Sequence, residues 1–150
     1  MRLLLASTHL LALGIGLGSV WARAQALRGP LDSDGLRRVF RADAWWGIAA
    51  VLWLATGAAR LLGGYEKGVL YYFQNHLFLA KMGLFAAILL LEIRPMAALV
   101  RWRVELARGR TPDTRSAGTL ATLSVIEAAL LVAIVFAAAA MARGLGMPHE

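Results

Sequence analysis

The sequence predicts an all-α integral membrane protein, a four-transmembrane-helix bundle with both termini outside. Three observations carry this. Apolar residues make up 59% of the 150, above the roughly 45–50% of soluble domains. They gather in four blocks, Leu3–Trp21, Ala44–Leu62, Leu77–Ile93 and Gly118–Met141, each near the ~20 residues that a spanning helix needs. The basic residues between the blocks are unevenly shared, which orients the chain. Residues 1–150 read as a single four-helix domain without repeats or low-complexity tracts.

The first block has a rival reading. Met1-Arg2, an apolar run and Ala22-Arg-Ala or Ala24-Gln-Ala look like a secretory signal with its cleavage site. The length of the run and His9 within it favour a retained helix. Gly14 and Gly18 form a GxxxG spacing, with Gly16 between them, and such small residues allow close helix approach. The connection to the second block carries Arg23, Arg28, Arg37, Arg38 and Arg41.

Trp45 and Trp46 at the start of the second block suit an inner aromatic belt. Tyr65, Tyr71, Tyr72 and Phe73, beyond its end, suit an outer one. Pro95 lacks a backbone donor and should end or kink the third helix. Met96, Leu99, Val100, Trp102 and Leu106 continue at helical spacing, which suggests an amphipathic extension lying at the headgroups. Thr111-Pro-Asp-Thr looks like a cap before the fourth block. The third connection holds Arg94, Arg101, Arg103, Arg108, Arg110 and Arg115. The opposite side has only Arg2, Arg60, Lys67 and Arg143. The first and third connections therefore belong in the cytoplasm.

The formal charge of +7 lies between apolar blocks. It reads as topology signal and contact with anionic headgroups, not as nucleic-acid binding. The absence of cysteine excludes disulfides, thiol catalysis, zinc ribbons and c-type haem attachment. No Walker loop, HExxH or GxSxG motif is present.

Ionisable groups inside apolar blocks are costly and are functional by default. From the helix rise, His9 lies about 9 Å and Lys81 about 6 Å below the outer surface. Arg60 is near that same surface. Glu127 lies near the midplane, too deep to snorkel, so it is protonated, paired or wet. Asp43, Glu92 and Arg94 meet at the cytoplasmic edge. His9, Ala12 and Gly16 share one helical stripe; so do Lys81, Phe85, Ile88 and Glu92, and so do Ser124, Glu127 and Ile134. His9 and Lys81 are expected to converge on one outer pocket, floored by Glu127. Each group has an ordinary alternative. Arg60 and Lys81 can snorkel, Asp43 can favour a helix N-terminus, and Glu92 with Arg94 can form an interfacial pair. His9 and Glu127 can be structural.

Three functions are consistent with this. His9 is a candidate axial iron ligand for b-type haem, with Lys81 and Arg60 facing propionates. The second function is a structural or assembly subunit, as a homo-oligomer or in a larger complex. The third is a small proton-coupled transporter.

Several runs carry a resemblance. They are Arg41-Ala-Asp-Ala-Trp-Trp-Gly-Ile-Ala-Ala, Thr56-Gly with Arg60, Tyr65-Glu-Lys-Gly, Tyr71-Tyr, His76-Leu-Phe-Leu-Ala-Lys-Met-Gly-Leu-Phe, Ile93-Arg-Pro and Arg101-Trp-Arg. Together they resemble a bacterial family of predicted membrane proteins, domain of unknown function 2214. The resemblance implies a multi-pass protein of the bacterial cytoplasmic (inner) membrane and no assigned activity. The family pattern has a Ser-Ile-Tyr-Pro-Thr-like run where this chain has Glu92-Ile-Arg-Pro-Met. Through His9, Lys81 and helix order, the chain is also distantly similar to membrane protoporphyrinogen oxidases and to copper-resistance D-type proteins. The first of these likenesses implies a haem ligand at His9 and a haem or substrate contact at Lys81.

Overall fold

A computed structural model describes residues 2–63 and 75–146. Among the described residues four α-helices run in order: α1 Arg2–Arg28, α2 Ser33–Leu62, α3 His76–Ala107 and α4 Ala117–Ala142. Each is long and apolar enough to cross a membrane. Large apolar side chains such as Leu4, Leu11, Val51, Leu90 and Phe136 are exposed, as lipid-facing residues are. The tyrosine belt expected at residues 65–73 lies outside the described residues.

The helices outrun the apolar blocks at one end. α1 continues seven residues past Trp21, and α2 begins eleven residues before Ala44. The long first connection shrinks to residues 29–32. Its arginines are helical, with only the flanking turn left as loop. Asp32 caps α2, accepting from the Gly35 N–H at 2.8 Å. Gly35 has to be glycine, since a Cβ there would collide with the Pro30 carbonyl oxygen. α3 likewise runs through Pro95 without ending. The segment beyond it is no surface-lying extension, because Leu99 and Trp102 are buried in the bundle. α3 closes on Gly109 at φ +70°, the left-handed cap that glycine adopts readily. The Thr111-Pro-Asp-Thr run does not cap α4. Ser116 stands at that cap without a side-chain hydrogen bond.

At the opposite end, buried Asn75 caps α3 by accepting from Leu77 N and Phe78 N. It also donates to Leu145 O, and His76 N donates to Gly146 O. The start of α3 is thus tied to the end of α4.

α1 packs on α2 and α4, and α3 packs on α4, while the α2 and α3 backbones stand farther apart. Close approach of α1 and α2 occurs at Gly16, where an added Cβ would lie 3.0 Å from the Trp46 ring. Gly14 and Gly18, the expected GxxxG pair, face outward with open space around them. Trp46 is buried where α1 and α2 meet and its neighbour Trp45 is exposed, so of the expected Trp45–Trp46 belt only Trp45 remains.

The core has two apolar clusters. One centres on Val20, Trp46, Trp53, Ile88, Leu131 and Ile134. The other centres on Leu27, Val39, Leu99, Trp102 and Leu120, at the arginine-rich end. On every helix a polar residue falls between the two: Arg23, Asp43, Glu92 and Glu127.

Candidate functional site

The polar layer is built around Arg23, whose side chain is fully buried. Its Nε donates to Ser124 Oγ at 3.0 Å. Nη1 donates to Asp43 Oδ1 at 2.9 Å and to Glu92 Oε1 at 2.7 Å. Nη2 donates to Glu92 Oε2 at 2.7 Å and to Glu127 Oε2 at 2.6 Å. A guanidinium has five N–H donors, and here each has an acceptor. The acceptors come from α2, α3 and α4. Arg103 adds a second cation. It donates to Asp43 Oδ2 at 2.7 Å and to Phe40 O at 3.3 Å, with its guanidinium carbon 4.9 Å from the Phe40 ring centre.

Three carboxylates thus face two guanidiniums. Fully ionised, the layer carries one negative charge in excess. Among the described residues, Glu127 Oε1 is buried without a hydrogen-bond partner. Charge in a low-dielectric surround is tolerated only when paired and hydrogen-bonded, and this geometry meets that condition for every charged group except that one oxygen.

Several expectations change here. Glu127 does not floor an outer pocket beneath Lys81; it pairs with Arg23, because its helical stripe with Ser124 faces α1. Asp43 does not mark a helix start, since it lies in the third turn of α2. Glu92 pairs with Arg23, while Arg94 is exposed. Arg23 itself was hidden among the loop charges. The signal was present: Gly16, Ser19, Val20 and Arg23 continue the stripe that starts at His9, and all four are buried.

His9 lies toward the other end of the bundle, with Arg60 and Lys81. These three, from α1, α2 and α3, line one cavity of about 270 Å³ in the gap between α2 and α3. Trp53, Phe78 and Phe85 wall it, and Met82 and Met141 also line it. The His9 ring stacks on Trp53 with centroids 5.7 Å apart, and Trp53 meets Phe85 edge-on at 5.3 Å. The Lys81 ammonium lies 5.2 Å from the Phe78 ring centre. His76 is exposed at the α3 start and does not line the cavity.

The His9 tautomer follows from its neighbour. Thr56 Oγ1 lies 2.7 Å from Leu52 O and 3.1 Å from Trp53 O, so its single hydrogen points to the backbone. His9 Nδ1, 2.9 Å from Oγ1, is therefore the donor. In the neutral ring Nε2 is then the acceptor nitrogen, the form suited to a metal or a proton. No group of three or more His, Cys, Asp or Glu able to hold a metal ion occurs among the described residues. Trp53 Nε1 is buried without a hydrogen-bond partner among them.

The four long apolar helices of the described residues, with a charge layer centred on buried Arg23 and Glu127, define an integral membrane protein. The chain matches the family described as predicted membrane protein (DUF2214) over residues 1–146 and belongs to it. No curated protein and no solved structure matches it.

Proposed function

We propose that the protein binds an amphipathic anion with a flat apolar body in the cavity between α2 and α3. The observation behind this is the convergence of His9, Arg60 and Lys81 on one space with aromatic walls. Ligand sites are mostly apolar with a few convergent polar groups, and this one has that make-up. Two cations suit acidic substituents, while Trp53, Phe78 and Phe85 suit a planar body.

b-type haem is the member of this class that His9 favours. Its residues fit by chemistry: an imidazole with an acceptor Nε2, thioethers at Met82 and Met141, and two cations for propionates. When bound, haem would supply one-electron redox chemistry. Thr56 would hold the ring of His9 in its tautomer, and the apolar walls would exclude water. The cavity, at about 270 Å³, falls just below the roughly 300–1,000 Å³ usual for ligand sites, so a whole macrocycle requires α2 and α3 to part further.

The test is the visible absorption spectrum of the detergent-purified protein. A Soret band that His9→Ala abolishes supports haem. Without that band, titration with dodecanoate against tryptophan fluorescence separates other amphipathic anions from no binding. Saturable quenching that Lys81→Met weakens supports the wider class, and no quenching ends the proposal.

A second reading, proton-coupled transport, starts from the count of three carboxyls against two guanidiniums in the Arg23 layer, which leaves one carboxyl able to take up a proton. Proton uptake by proteoliposomes, lost in Glu127→Gln, would support it. In either reading the bacterial cytoplasmic membrane is the proposed location, with the arginine-rich end inside.

A further inference from the structure

A second concave surface lies on the lipid-facing side of α1 and α2, away from both sites above. It has a volume of about 560 Å³. Its floor is made of small residues of α1, among them Gly18, Ala22 and Ala26. From Ile15 to Gly29, both at its lining, it runs about 21 Å along the helix. One wall is α2, with Trp45 toward the bundle middle and Arg41 and Arg38 toward the arginine-rich end.

The groove is graded along its length. Ile15, Gly18 and Trp45 make one end apolar; Arg38, Arg41 and Gln25 make the other end polar. Arg38 and Arg41 are both exposed. Among the described residues neither side chain makes an ion pair or hydrogen bond, unlike those of Arg23, Arg37, Arg103 and Arg115. Two exposed cations, whose side chains have no protein partner among the described residues, therefore stand at the mouth of an apolar channel. A hydrogen-bonding side chain, Gln25, is beside them. A basic pocket between transmembrane helices suits a phosphate headgroup, and a channel floored by glycine and alanine suits an acyl chain.

We infer that this groove is a binding site for one anionic phospholipid, with its phosphate on Arg38 and Arg41 and an acyl chain along Gly18 and Ala22. The charge gradient favours a lipid over a second copy of the chain, whose own groove would bring the same arginines face to face. This site is more specific than the general attraction of basic loops to a membrane surface, because it has a shape.

The experiment uses the whole protein, reconstituted in vesicles of equal phosphatidylglycerol and phosphatidylcholine, extracted and weighed intact by native mass spectrometry. The wild type is expected to carry one phosphatidylglycerol. The double substitution Arg38→Gln with Arg41→Gln is expected to lower that affinity about thirtyfold, from the usual worth of two basic residues at an anionic surface. Gly18→Leu keeps both arginines and fills the channel. An added Cβ there meets nothing within 4 Å, so the side chain enters the channel from its first atom, and circular dichroism checks that the bundle is intact. This variant is expected to lose the lipid as well. Equal retention of phosphatidylcholine would overturn the inference, and so would full retention by Gly18→Leu. A dimer mass that Gly18→Leu abolishes would reassign the groove to self-association.

Discussion

Arg23 grips Glu92 across the bundle through two parallel hydrogen bonds, Nη1 to Oε1 and Nη2 to Oε2, each 2.7 Å long. The pair joins α1 to α3, which otherwise lie on a diagonal. Such two-pronged geometry needs a planar guanidinium.

Replacing Arg23 should therefore be severe. Arg23→Met leaves Asp43, Glu92 and Glu127 facing one another with only Arg103 nearby. Removing one partner of a buried ion pair costs about 3–5 kcal/mol. Thermal unfolding in detergent, followed by circular dichroism, should show a loss of that size. Arg23→Lys should rescue little, because an ammonium has three donors and cannot reproduce the fork.

Glu127→Gln should be mild by contrast. It leaves two carboxylates facing two guanidiniums and keeps an oxygen to accept from Arg23 Nη2. The expected change is within about 1 kcal/mol of wild type. Glu92→Gln, which breaks the two-pronged pair, should cost clearly more. Equal losses for the two variants, measured side by side, would contradict the charge count.

The contrast between these residues shows what was legible in the sequence. The number of helices and their apolar spans could be read because hydrocarbon demands unbroken apolar runs. Helix ends could not, because a run stops where charges begin while the backbone helix continues. That is why Arg23 looked like a loop residue. Counting could put Asp43 and Glu92 at one level of the bundle, and His9, Arg60 and Lys81 at another. Which charges pair depends on helix rotation and on which helices are neighbours, and counting along a helix supplies neither.

Packing at Gly16 gives a third expectation. Gly16→Val pushes branched carbons into the Trp46 ring, already 3.0 Å from the first added atom. Overpacking of this kind costs about 1–3 kcal/mol. Gly14→Ala should be neutral or slightly stabilising, because its Cβ has open space and alanine is the better helix former. A melting comparison of the two variants checks this, and equal effects would count against it.

A fourth expectation concerns the exposed turn before α4. The Arg115 side chain, then its backbone N–H, hold the Asp113 carboxyl down to about 2 from its ordinary 3.8. A lowered carboxylate favours the folded turn above pH 3.8, and the contribution disappears as pH falls through about 2. A nuclear magnetic resonance titration of the Asp113 carboxyl should show a midpoint near 2 and no change between pH 5 and 8. Arg115→Ala should move that midpoint back up.

Thr56 gives a fifth. Thr56→Val removes the acceptor for His9 Nδ1 while keeping the shape of the side chain. The imidazole then loses its fixed tautomer, and binding in the cavity should weaken without loss of fold. A ligand titration of the two proteins separates this from a purely structural role, in which melting alone would move.

The charge layer also bears on how the chain enters a bilayer. The first hairpin, α1 with α2, carries Arg23 and Asp43 2.9 Å apart, so it can insert with its central charges already neutralised. The second hairpin, α3 with α4, brings Glu92 and Glu127 without the cation that both of them contact. It acquires that cation only by docking on the first. The order of synthesis therefore matches the order of electrostatic need. Two co-expressed halves divided within residues 64–74 should show it: the first half should accumulate alone, and the second only in its presence.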